Sequence, residues 1–258
     1  MQMRSCTHMV LISIADLHDL CYYAPVRSYM GYLREKRREA GGEAGWIDCP
    51  APAIPLPGQY LLAMDPEDRD APLATPLFPA GSATTGFLAA GPFPLGWMPG
   101  STLRLYGPLG HGFSLPGGAR SVALAALGET VARLLPLVTI ALDLGASVAL
   151  CSDAPLSQLP TAVEAYPASA LPELYAWADY LALDLPLHAL PELRQRIGLD
   201  AHARLSIPTQ ALVQAPMPCA GAGAAACGVC AVPVKRDWKT ALLACKDGPV
   251  FDLDEILL

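Results

Sequence analysis

Four cysteines near the C-terminus, Cys219, Cys227, Cys230 and Cys245, form a C-x7-C-x2-C-x14-C array, the one place where the chain gathers reactive groups. The grouping is three close thiols and one distant thiol. Structural zinc ribbons usually present two C-x2-C pairs on facing knuckles. A two-iron, two-sulfur centre instead needs four thiolates wrapped around a rhomb of iron and sulfide, and its plant-type arrangement is C-x4-C-x2-C with a remote fourth ligand. The first gap here is longer and holds only Ala and Gly, from Ala220 to Ala226. Small side chains let backbone N–H groups approach sulfur, and glycine permits positive φ where such a loop turns. The spacing favours a 2Fe-2S cluster on these four residues. A structural zinc site and unligated thiols are the alternative readings.

At 258 residues the chain has enough material for a substantial core, and two lobes fit better than one. Apolar residues make up 53% and charged residues 16%, which excludes general disorder. The net charge of −7 argues against nucleic acid. The one basic cluster, Arg34, Lys36, Arg37 and Arg38, reads as a solvated helix face. The 26 prolines and 22 glycines follow no repeat and so act as turn punctuation. The first residues lack the charged start, apolar run and cleavage site of a secretory signal. Leu134 to Leu150, the longest apolar stretch, is broken by Pro136, Asp143 and Gly145, so it predicts a buried helix followed by a strand and no membrane span. Free thiols and a metal cluster suit a reducing compartment, and a cytoplasmic location is expected.

Residues 1–45 differ in texture from the rest and are expected to be an extension of unknown role, with a helix over Ser28 to Ala40 ended by glycines. From Trp46 to about Leu115, short apolar runs alternate with Pro and Gly, which predicts a small antiparallel barrel. From Ser121 the pattern becomes strand, helix, strand, compatible with a parallel sheet flanked by helices. QALVQAPMPC reads as a final strand entering the cysteine array.

Three stretches carry a family resemblance: Pro57-Gly58-Gln59-Tyr60, Gly107-Pro108-Leu109-Gly110-His111-Gly112-Phe113, and the tail from Met217 to Phe251 with its CGVCAV and CKDGPVF pieces. In these motifs the chain resembles the electron-transfer subunits of dihydroorotate dehydrogenase, iron-sulfur flavoproteins of the ferredoxin-reductase superfamily. The resemblance implies an FAD-type barrel over 46–116, a Rossmann-like nucleotide domain over 117–213 and a 2Fe-2S domain over 214–258. It also implies a hetero-oligomer with a flavin-containing dehydrogenase catalytic subunit. In that family an Arg-Pro-aromatic-Ser segment of the barrel binds FAD; here the stretch is Thr75-Pro76-Leu77-Phe78. A guanidinium supplies charge and paired donors to a pyrophosphate that threonine cannot replace. The family's glycine-rich nicotinamide turn, near GGGIG, corresponds here to Ala125-Ala126-Leu127-Gly128-Glu129-Thr130. Glu129 would meet an incoming phosphate with like charge, so NAD is not expected to bind.

Asp179 and Asp184 fall where the superfamily places a late strand beside its nucleotide, but aspartates near strand ends more often serve turns and caps. His111 sits in a loop directed at the expected cofactor crevice. Cys6, Cys21, Cys49 and Cys151 lack ligand spacing and read as small buried apolar groups. Trp238, between Cys230 and Cys245, reads as a shield for the cluster or as plain core. No catalytic nucleophile system is present in the sequence pattern. The expected function is a one-electron relay between a dihydroorotate dehydrogenase-like flavin partner and an acceptor, without substrate chemistry of its own. The competing readings are a scaffold protein with structural zinc and a complete NAD-linked reductase.

Overall fold

The computed structural model describes residues 26–39, 42–67, 73–154, 156, 159–200, 203–217, 227–236 and 239–256. Six antiparallel strands close a barrel: β1 (Ser28–Glu39), β2 (Gly42–Asp48), β3 (Tyr60–Met64), β4 (Thr75–Ala83), β5 (Gly86–Ala90) and β6 (Thr102–Leu109), in the order β1-β2-β5-β4-β3-β6. Alternation along each strand fills the interior with Leu33, Ile47, Leu61, Ala63, Leu77, Phe87, Leu103 and Leu105. The neighbours of these residues on β3 and β4, Tyr60, Leu62 and Phe78, turn outward and join the core shared with the second lobe and the tail. The barrel therefore presents an apolar flank to the rest of the chain.

The helix expected over Ser28 to Ala40 is a strand instead, so the extension expected over 1–45 supplies two barrel strands. Gly31 and Leu33 are buried while Met30, Tyr32 and Arg34 are exposed, a period of two that a helix cannot sustain. The charged run that suggested a solvated helix face lies on the β1–β2 hairpin, whose second strand opens at Gly42 with φ +115°. Its charges meet across strands: Arg34 Nε donates to Asp48 Oδ2 at 2.7 Å, and Lys36 Nζ is 3.7 Å from a Glu43 carboxylate oxygen. High charge density hid the alternation in the sequence.

The second lobe is a sheet in the order β14-β11-β10-β7-β8-β9. β7 (Ser121–Ala126), β8 (Ser147–Ser152), β9 (Val163–Pro167), β10 (Tyr180–Pro186) and β11 (Thr209–Gln214) are parallel, and β14 (Val250–Asp252) is antiparallel to β11. Its first five strands thus follow the Rossmann-like succession, third-second-first-fourth-fifth. Helix α1 (Leu135–Asp143) covers one face with Leu137, Val138 and Ala141 against Val122, Leu124 and Leu150. Helices α2 (Leu171–Trp177) and α3 (Leu193–Ile197) cover the other, where Leu171, Leu174 and Leu193 meet Ala123, Ala125 and Leu183. The helix and strand expected from Leu134 to Leu150 are α1 and β8. A hairpin of β12 (Ala231–Arg236) and β13 (Lys239–Leu243) completes the described tail. No helix among the described residues is long and apolar enough to cross a membrane.

Candidate redox site

The three stretches that carry the family resemblance converge in space, and small residues make that approach possible. A Cβ on Gly110, which has φ +73°, would lie 2.4 Å from the Gly248 carbonyl oxygen. Backbone and side chains knit the three segments together. His111 N–H donates to the Gly248 carbonyl at 2.6 Å, Phe113 N–H to the Pro57 carbonyl at 2.9 Å, and Gln59 Nε2 to the Gly110 carbonyl at 3.2 Å. His111 Nδ1 is 2.9 Å from the Asp247 carbonyl oxygen, so this exposed loop histidine is held by the tail. Glycine-rich loops in such motifs read as turn punctuation in isolation. Their function here is close packing of one segment on another.

That knot supports the cysteines. Cys230 opens onto β12 and Cys245 follows β13, and both thiols are buried within the shared core near Val232, Leu242 and Ala244. Their sulfurs are 3.2 Å apart, too far for a disulfide and close enough to hold one metal atom between them. Cys227 is exposed and free, as is the side chain of Val229 beside it. Cys219 and Trp238 lie outside the described residues, as do Cys6 and Cys21. Among the described residues no group of three or more potential ligands comes together, so Cys227 is not brought to the pair; the adjacent buried thiols of Cys230 and Cys245 are the donors whose chemistry suits a thiolate-ligated centre. The Leu243–Asp247 turn that presents Cys245 is tightened by Asp247, whose carboxylate accepts from Leu243 N–H at 2.8 Å. Tyr60 Oη donates to the Cys245 carbonyl at 2.8 Å from the barrel side.

A crevice of about 620 Å³ separates barrel and sheet at the carboxyl ends of β7, β10 and β11. Gly42, Glu43, Gly91 and Pro92 form its barrel wall, and Leu127 to Thr130, Arg133, His188 and Gln214 the other. The turn from Ala125 to Thr130 therefore occupies the place expected for a nucleotide turn, with Glu129 exposed on the wall. Arg133 is nearly buried; its Nε donates to Asp184 Oδ2 at 2.8 Å, and Gln214 Nε2 donates to Asp184 Oδ1 at 2.6 Å. Its guanidinium carbon stands 5.9 Å from the centre of the Phe78 ring, whose neighbour is the Tyr60 ring at 5.7 Å. Within Thr75-Pro76-Leu77-Phe78, Leu77 belongs to the barrel interior, Phe78 is covered by Tyr60 and Arg133, and Thr75 and Pro76 are half-buried. This segment brings no cation to the crevice, and the one offered by Arg133 is paired with Asp184.

Asp184 is thus a core anion serving Arg133, not an open nucleotide contact. Removing one partner of a buried pair leaves the other charge uncompensated, so Asp184→Asn is expected to lower stability by about 3–5 kcal/mol, read by chemical denaturation. Asp179 lies at the opposite end of β10, where its carboxylate accepts from Arg120 N–H at 2.9 Å and Ser121 N–H at 3.1 Å. The Arg120 N–H leads the contacts that hold its carboxyl below the usual aspartate range. Burial pushes the Cys49 thiol up to about 11 and the Cys151 thiol up to about 12, so both stay protonated as apolar core groups.

Residues 217–257 match the family described as the iron-sulfur cluster binding domain of dihydroorotate dehydrogenase B, a span that includes all four cysteines of the array. The chain has a ferredoxin-reductase-like fold, and its tail is similar to that cluster binding domain. Among solved structures, the NADH-dependent reduced ferredoxin-NADP oxidoreductase studied for flavin-based electron bifurcation aligns with a TM-score of 0.66 at 17% identity, covering 88% of this chain and 89% of that one. The ferredoxin reductase of carbazole 1,9a-dioxygenase aligns with a TM-score of 0.52 at 16% identity, covering 68% and 67% of the two chains. No curated protein sequence matches. An iron-sulfur cluster domain on a reductase fold supports an electron-transfer role. Tyr60, Arg133 and Gln214 are the site residues that sequence reasoning missed, because their partners lie far away along the chain. Only the placement of Tyr60 inside a resemblance motif marked one of them.

Proposed function

We propose that this chain is an electron-transfer subunit that carries a 2Fe-2S cluster on Cys219, Cys227, Cys230 and Cys245 and relays electrons between a flavin dehydrogenase partner, of the dihydroorotate dehydrogenase kind, and an acceptor. The observation that carries the reading is the pair of buried thiols of Cys230 and Cys245, 3.2 Å apart inside a segment that matches a cluster binding domain. When bound, such a cluster supplies one-electron chemistry. Every other part of the proposal belongs to the chain. Val232, Val234 and Leu242 belong to the same buried core as the thiol pair, which keeps that region dry. Cys227 and Val229, which precede the buried Cys230 in the chain, are exposed and offer a surface for a partner to approach. The Asp247 turn and the His111 tether fix the loop that bears Cys245.

Partner identity, a hetero-oligomeric assembly and a cytoplasmic setting belong to the same proposal, supported by the family match at the tail. FAD is the second cofactor the fold suggests, and the residues present suit it poorly. Thr75 carries no charge, and Phe78 offers no uncovered ring face. The barrel is therefore assigned no step in the relay.

Anaerobic purification followed by iron, sulfide and flavin analysis tests the proposal. About two iron and two acid-labile sulfide per chain are expected, with a visible band bleached by one-electron reduction. One zinc per chain with no visible absorption would overturn it in favour of a structural zinc scaffold.

A further inference from the structure

Tyr60 is the residue through which the barrel reaches the candidate cluster. It opens β3, its side chain is fully buried, and its hydroxyl donates to the carbonyl of Cys245 at 2.8 Å across 185 residues of sequence. The same ring packs on Phe78, which lies under Arg133 on the crevice wall. Cys245 is the distant fourth thiol of the array, presented by a turn and not by the close cysteine group. Its position is held from within the tail by the Asp247 turn and from outside it by Tyr60.

We propose that Tyr60 is the positioning residue that fixes the Cys245 loop and sets the reduction potential of a cluster bound there; this inference rests on the cluster reading above. One-electron reduction adds negative charge to such a centre. A buried hydroxyl that aims its hydrogen at the ligand residue's carbonyl places positive charge beside that site, and low local polarity strengthens the effect. The donor therefore favours the reduced form and raises the potential. Polar groups around the ligands are one of the protein's levers on such potentials, together with net charge and burial.

The test is Tyr60→Phe in the full, cluster-loaded chain, which keeps the ring on Phe78 and removes only the hydroxyl. Iron and sulfide content is expected to stay at the parent level. The one-electron reduction equilibrium is expected to shift about three- to tenfold toward the oxidised form, and tenfold corresponds to about 59 mV for a one-electron couple. The complementary measurement places 3-fluorotyrosine at position 60 alone, where a more acidic hydroxyl is expected to move the potential in the opposite direction. This second arm decides the matter if Tyr60→Phe fails to retain its cluster. Unchanged potentials in a fully loaded protein overturn the role of Tyr60 and leave the cluster reading standing. A parent chain without iron and sulfide overturns both, and metal analysis distinguishes that result before any potential is measured.

Discussion

Cys245→Ser is expected to remove the cluster from the purified chain, taking iron and labile sulfide from about two per chain to near zero and abolishing visible absorption. Serine is nearly isosteric, so the loss would report ligand chemistry more than packing. The oxygen is a harder and more basic donor than thiolate and suits these soft centres poorly. Cys245 is the sharpest position to test because its sulfur already sits beside that of Cys230 in a dry core. Cys49→Ala provides the contrast. Cys49 belongs to the barrel core and its thiol is kept protonated by burial, so its removal is expected to leave metal content unchanged. Equal iron in the Cys245→Ser and parent proteins would remove Cys245 from the ligand set. Zinc in the parent, lost in the same variant, would keep the four-thiol site and change its metal.

Thr75→Arg is expected to strengthen FAD binding by about ten- to a hundredfold, because a charged, forked donor to a pyrophosphate contributes about 1.5–3 kcal/mol. Flavin fluorescence titration of the parent and variant chains measures the ratio directly. The prediction depends on the resemblance that places position 75 at the pyrophosphate, and on the finding that Arg133 is already committed to Asp184. A parent chain that binds FAD as tightly as the variant would show that another cation serves the phosphates. An unchanged, weak affinity in both would show that Phe78 and Arg133 close the seat whatever stands at position 75.

Much of the architecture was legible because each lobe states its own period. Alternation with Pro and Gly marked the barrel, and the helix-then-strand stretch from Leu134 to Leu150 marked the α/β lobe. The hairpin of β1 and β2 was not legible. Its charges hid a period of two, and the pairing that satisfies them comes from Glu43 and Asp48 on the next strand. Spacing found the cysteine array because ligand chemistry is local in sequence. It could not find Tyr60 or the Arg133–Asp184–Gln214 network, because a buried hydrogen bond across 51 or 185 residues leaves no periodic trace. Asp184 illustrates the difference. Its sequence position favoured a turn or cap over a nucleotide contact, and its complete burial and two side-chain partners instead make it the anion of a core pair.

The closing strand β14 gives the tail a particular topology. β11 and β14 are neighbours in the sheet, with Leu212 paired to Val250 and Val213 N–H donating to the Pro249 carbonyl at 2.9 Å. The described residues between them, including Cys227, Cys230 and Cys245, lie outside this sheet, with β12 and β13 forming a sheet of their own. The cysteine-bearing segment is in effect a cassette whose two ends are held together by its host. Such a loop can lengthen, shorten or be exchanged without altering the order of the strands that frame it.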